Sequence, residues 1–176
     1  MRFLFLFITG CLALHASLIP QSGYSGRPGD GTCRDCHPAR SLVPSDSSEI
    51  RGLPEAYTPE TTYSCTLVVR YRGLSEWTFE LATSDSNGNQ AGALDLLDAR
   101  HTQLDTFQGI QYLKNTLPGA YIGQPDSARW AFAFTSPCAG TGPVWFYWAA
   151  YFKNRKQGRN YFLLENSRVV TEAPSE

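Results

Sequence analysis

The residues of this chain whose types and spacing could do chemistry are Cys33-Arg34-Asp35-Cys36-His37, a C-x-x-C-H sequence. Two thiols separated by two residues can reach two vinyl groups on one porphyrin edge from a single tight turn. The histidine that follows then falls beneath the iron as its proximal nitrogen ligand. The pattern predicts one covalent haem c, with Cys33 and Cys36 as the attachment thiols and His37 on the iron. Three other chemistries use this spacing. A thiol–disulfide redox pair sits at a helix start beside a βαβ pattern, but Gly29, Gly31 and Pro38 crowd the motif and no such pattern follows. Half of a zinc site needs a second close pair of ligands, which Cys65, Cys138 and His101 do not make. A small structural disulfide between Cys33 and Cys36 is the third.

The N-terminus says where this chemistry would take place. Met1-Arg2 is followed by an apolar run from Phe3 to Leu14, broken only by Thr9, Gly10 and Cys11, with a small residue at Ala16. This is the pattern of a secretory signal peptide, and the run is shorter than the roughly 20 apolar residues that span a bilayer. Residues 1–16 are expected to be cleaved after Ala16. Ile8-Thr9-Gly10-Cys11 offers a rival, a lipobox that would leave the chain lipid-anchored at Cys11. An exported chain is periplasmic, extracellular or at the cell surface, where disulfides persist. No later apolar stretch is long enough to cross a membrane.

Cleavage removes Met1, the chain's one methionine, together with Cys11 and His15. Methionine therefore cannot be the sixth iron ligand. His101 is the remaining imidazole, so the site is bis-histidine through His101, open, or closed by an unusual ligand. That choice sets the reduction potential and access for small ligands. His101 lies in the polar stretch Asp98-Ala99-Arg100-His101-Thr102, which reads as a loop.

Cys65 and Cys138 remain. Two spare cysteines in an exported domain form a disulfide most simply, closing a loop of about 70 residues and contributing about 4 kcal/mol in the chain-entropy view. Two buried free thiols are the alternative.

The elements that must position these residues read as strands. Composition is 42% hydrophobic, 13% aromatic and 18% charged, which excludes a disordered tail, a collagen repeat and a coiled coil. A net charge of −1 gives no electrostatic reason to expect nucleic acid. Residues 17–48 are rich in Ser, Gly, Pro and Arg without periodicity, an irregular haem-attachment segment. From Glu49 the pattern alternates. Strands are predicted at Glu49–Leu53, Thr61–Tyr71, Trp77–Thr83, Ala91–Leu97, Gly109–Leu113, Ala128–Thr135, Val144–Phe152 and Tyr161–Val170. Val144–Phe152 is apolar on both faces, as a central strand is. Asp85-Ser86-Asn87-Gly88-Asn89 reads as a turn; its glycine is misplaced for a calcium loop. Lys153–Asn160 carries four basic residues, either a docking patch for an acidic redox partner or a solvated hairpin tip. Seven or eight short strands over 49–171, with a tail at 172–176, predict a mainly β chain folded as an immunoglobulin-like sandwich.

The chain also resembles a family, the bacterial choice-of-anchor V domains related to the reeler domain. The matching pieces run from Gly23-Tyr24-Ser25-Gly26-Arg27-Pro28-Gly29-Asp30-Gly31-Thr32 into the C-x-x-C-H. They continue through Ile50-Arg51-Gly52-Leu53-Pro54-Glu55-Ala56-Tyr57-Thr58-Pro59, Gly88-Asn89-Gln90-Ala91-Gly92 and Gln111-Tyr112-Leu113, and end at Gly140-Thr141-Gly142-Pro143-Val144-Trp145-Phe146-Tyr147. The resemblance implies an exported reeler-like sandwich preceded by a C-x-x-C-H loop, with no settled activity. Family members often carry His-Thr after the Gln-Tyr segment, where this chain reads Lys114-Asn115-Thr116. They usually end in an anchoring tail, where this chain ends Thr171-Glu172-Ala173-Pro174-Ser175-Glu176.

Two functions are weighed. The first is a mono-haem c-type cytochrome carrying electrons to a redox partner protein, or within a multi-subunit membrane-associated or extracellular complex. The alternative is an extracellular structural or binding module in which haem or the C-x-x-C pair is mainly structural. An enzyme or gas sensor ranks last, because only His101 is an evident acid–base group.

Overall fold

Alternation of large apolar with polar residues, interrupted by glycine-rich turns, makes this chain a stack of strands. A computed structural model describes residues 18–37, 41–123, 126–153 and 161–174. The expected signal peptide, and with it Cys11, lies outside the described residues. So does all of the basic Lys153–Asn160 tip except Lys153.

Among the described residues one short helix, α1 (Cys33–Cys36), precedes eleven strands: β1 (Ser41–Leu42), β2 (Ser48–Arg51), β3 (Ala56–Tyr57), β4 (Thr62–Arg70), β5 (Glu76–Ser84), β6 (Ala93–Leu96), β7 (Thr102–Phe107), β8 (Ile110–Asn115), β9 (Ser127–Thr135), β10 (Val144–Lys153) and β11 (Tyr161–Glu172). The larger sheet runs β1-β11-β10-β5-β8-β7, with β3 also pairing β11; the smaller runs β2-β4-β9-β6. β1 and β3 pair parallel to β11, while the other neighbours pair antiparallel.

The two sheets close on one core. Trp77, Phe79 and Leu81 of β5 and Phe146, Trp148, Ala150 and Phe152 of β10 face Cys65, Leu67 and Val69 of β4 and Trp130, Phe132 and Phe134 of β9. Phe79 packs on Trp130 with centroids 4.5 Å apart, and Phe134 meets Phe146 edge-on at 4.8 Å. Two of the indole N–H groups find partners inside: Trp148 Nε1 donates to Ser48 Oγ at 2.9 Å, and Trp130 Nε1 to the Gly119 carbonyl at 3.1 Å. This is the mainly β sandwich read from the alternation, and β10 is central as its two apolar faces require.

Two boundaries differ from expectation. Ser41–Leu42 already pairs with β11 and Ser48 opens β2, so the sandwich begins before residue 49. Glu172 ends β11, and the Ala173 N–H donates to the Tyr57 carbonyl, so the expected tail is partly built in. Besides the two-residue strands β1 and β3, β7 is the strand the pattern concealed. Its residues Thr-Gln-Leu-Asp-Thr-Phe are mostly polar because it is an edge strand.

Candidate functional site

The outer face of the larger sheet is where the C-x-x-C-H sequence sits. β5 is buried along its whole length, which a two-layer sandwich alone does not achieve. The second cover is the chain from Leu18 to His37, strapped across β7, β8, β5 and β10. Glu80 of β5 is its central anchor, with one carboxylate oxygen accepting the N–H groups of Gly23 and Tyr24 at 2.9 and 2.7 Å. Asn115 Nδ2 donates to the Leu18 carbonyl at 2.7 Å, and Lys114 Nζ donates to Ser22 Oγ at 3.0 Å. Lys114 and Asn115, in the stretch that departs from the resembled family, therefore both grip the N-terminal segment.

The glycine-rich stretch folds into a tight loop. Gly26 N donates to the Gly31 carbonyl, and Gly31 N to the Gly23 carbonyl. Asp30 sits at its centre, 4% exposed, accepting from Ser25 Oγ, Arg27 Nη2 and Tyr112 OH. Arg27 Nη1 reaches the Gly88 carbonyl at 2.9 Å, and Gln111 N donates to Gln90 Oε1 at 2.8 Å. Sequence pieces dispersed over ninety residues thus form one cluster around Asp30. A second cluster joins Tyr57 OH to the Gly142 carbonyl and to Glu172.

This loop delivers α1. Thr32 caps it: its hydroxyl accepts from Arg34 N, while Asp35 Oδ2 accepts from Thr32 N, a reciprocal capping box. Gly31 leaves room for this cap, because a Cβ there would push against the Asp35 carboxylate and the Tyr24 ring and force them to shift. Cys33 and Cys36 stand at the two ends of one helical turn, and the His37 N–H closes it on the Cys33 carbonyl. The His37 ring stacks on Tyr151 of β10 at 4.3 Å and 20°.

Beneath the turn lies a row read directly from the strand register. Ala149 of β10 is paired with Glu80 on one side and Glu165 of β11 on the other. Burial pushes the Cys33 thiol up to about 12, with the Glu80 and Glu165 carboxylates adding to the shift. A thiol so disfavoured as thiolate is no nucleophile at neutral pH, which argues against a thiol–disulfide oxidoreductase. Burial likewise raises Glu80 to about 7, against the two backbone N–H groups and Lys114, which pull it down. Among the described residues Glu80 Oε2 and Glu165 Oε1 are buried without a hydrogen-bond partner.

His101 is not brought to this turn. It precedes β7 at the far edge of the sheet, three strand spacings from Tyr151, or about 14 Å. Its Nδ1 is held by Asp98 Oδ2 at 2.6 Å. The structure therefore does not place His101 beside His37, and its ring serves the β6–β7 turn. The expected Cys65–Cys138 disulfide is also not formed. Both are free thiols. Cys65 points into the core, 1% exposed, whereas Cys138 lies exposed in the loop after β9 beside Thr141.

In type and order Cys33, Cys36 and His37 fit a covalent haem, and Cys36 is exposed at the surface. A groove of about 800 Å³ beside α1 is lined by Ser22, Tyr24, Asp35, Phe107 and Lys114 but by neither cysteine. Among the described residues no three His, Cys, Asp or Glu side chains are grouped to hold a metal ion, and no helix is long and apolar enough to cross a membrane.

No protein-family model matches the chain, and no curated protein matches it. Solved structures do. The Reelin-N domain of F-spondin superimposes with a TM-score of 0.54 at 20% identity, covering 80% of this chain and 97% of that one. Two further crystal structures of the human F-spondin reeler domain give TM-scores of 0.53 and 0.51 at 20% and 21% identity, covering 77% and 76% of this chain and 96% and 93% of theirs. The fold is reeler-like.

Proposed function

We propose that this chain is an exported structural or binding module: a reeler-like sandwich whose larger sheet holds an N-terminal strap and presents the Cys33–His37 turn. The observation that carries this reading is the anchoring of residues 18–37 by protein groups, through Glu80, Asn115, Lys114 and Tyr112. These contacts are expected to order the segment whether or not haem is attached. The export pattern at residues 1–16 and the similarity to choice-of-anchor V domains agree with work outside the cytoplasm. The test is a thermal melt of protein made without haem attachment. One cooperative transition, with the Cys33→Ala/Cys36→Ala variant melting within a few degrees of wild type, is expected. A chain that stays unfolded until haem is attached overturns it.

A second reading is favoured by one feature, the C-x-x-C pair in a single capped turn with His37 next in line. Cys33 and Cys36 would hold haem c and His37 would supply one axial nitrogen. When bound, the group supplies one-electron chemistry. The chain's own part is to fix the turn through Thr32 and Asp35 and to brace the His37 ring against Tyr151. The matured protein should show a Soret band and an added haem mass under denaturing conditions, both lost in the double cysteine variant. Their absence from wild type made with the maturation machinery removes this reading.

A further inference from the structure

The strap covers only part of the outer face. Past Arg27 and Pro28, β10 turns two large aromatics outward, Trp145 and Tyr147, half-buried, with nearly parallel rings 6.3 Å apart and 19° between planes. Their strand partners there are Ser84 and Ala82 on β5 and Val169 and Ser167 on β11, of which Val169 is itself an exposed apolar side chain. The rings form one wall of a pocket of about 460 Å³ whose rim is Arg27, Ser84, Ser86 and Asn87. Two features need explaining. Outward positions on a solvated sheet face are ordinarily polar, yet these carry Trp and Tyr. The rim also carries polar groups open to a ligand: the Ser86 and Asn87 side chains are exposed, and Arg27 Nε is buried without a hydrogen-bond partner among the described residues.

From this combination we infer that the pocket is a binding site for a neutral saccharide chain. Sugar rings present flat C–H faces that stack on aromatic rings, and a ring of hydroxyls that both donate and accept. Trp and Tyr supply the rigid stacking surface, while Ser and Asn supply adaptable polar contacts. The rim selects a neutral ligand, because the Arg27 charge is already matched by Asp30 at 2.8 Å and the Asp85 carboxylate is occupied by the turn it caps. A peptide strand would instead look for open backbone groups, but β10 is paired on both sides by β5 and β11.

This deepens the module reading by naming a ligand class. It involves no residue of the Cys33–His37 turn, so its failure leaves the melting test above undisturbed. The experiment is affinity electrophoresis of the whole exported protein in native gels containing hydroxyethyl cellulose, laminarin or galactomannan. Retardation by at least one polysaccharide is expected, weakened at least fivefold in Trp145→Ala and in Asn87→Ala. Should Trp145→Ala fail to fold, Asn87→Ala, at an exposed turn, decides. Unchanged migration in all three gels overturns the proposal. So does retardation that both variants retain, or a wild-type dimer in sedimentation that Trp145→Ala dissolves, which would make the platform a contact between copies.

Discussion

At Glu80 a carboxylate is held where water cannot reach it, and its protonation is therefore tied to folding. Its folded value of about 7 lies above the ordinary 4.5. Below pH 4.5 both states are protonated and burial costs nothing. Between 4.5 and 7 the unfolded chain releases the proton and the folded chain keeps it, so stability falls as pH rises, by a total on the order of 3 kcal/mol. Glu80→Gln keeps an acceptor for Gly23 and Tyr24 and removes the charge. Denaturant unfolding should show the variant gaining on wild type from pH 5 to pH 7.5; a constant difference across that range contradicts the assignment. Thiol reactivity is a second check at this scale. In cofactor-free protein, iodoacetamide should modify exposed Cys36 and Cys138 quickly, half-buried Cys33, its thiol pushed up to about 12, more slowly, and core Cys65, also pushed up to about 12 by burial, only on unfolding. Equal rates at all four, or a recovered Cys65–Cys138 bridge, rejects that picture. Neither carboxylate was legible in sequence. Within Trp77-Thr78-Phe79-Glu80-Leu81 an alternating Glu marks a solvent face, and only the strap makes that face an interior.

Among the elements, the strap is the one whose role comes from tertiary contacts. Its composition announced irregularity correctly, because Gly, Ser and Pro cannot build a strand ladder. What composition could not announce was that Asp30 gathers Ser25, Arg27 and Tyr112 into one buried cluster. Asp30→Ala would leave the Arg27 guanidinium, 12% exposed, without its counter-charge, and should cost about 2 kcal/mol; a loss of only a few tenths would mean the cluster is not formed in solution. The strands were readable wherever a core face alternates against a polar one. Tyr63, Cys65, Leu67 and Val69 of β4 and Trp130, Phe132 and Phe134 of β9 alternate in sequence and share the core face. β7 was not readable, since an edge strand buries too little to mark its period. His101 lies in the polar stretch that reads as a loop, and its ring is held there by Asp98.

Over the whole molecule the sandwich is a three-layer object at its centre: small sheet, large sheet, strap. The fold class followed from strand count and turn spacing. The position of the Cys33–His37 turn did not, because nothing local links residue 33 to β5, β8, β10 and β11. The strap is bound to the outer face through Glu80, which anchors the Gly23 and Tyr24 amides. Residue-resolved hydrogen exchange on cofactor-free protein tests it most directly. The Gly23 and Tyr24 amides should exchange slowly in wild type, at rates comparable with the margins of β5, and should become fast in Glu80→Ala while the β4–β9 amides stay protected. Fast exchange at Gly23 and Tyr24 in wild type, with the sandwich intact, would contradict the account.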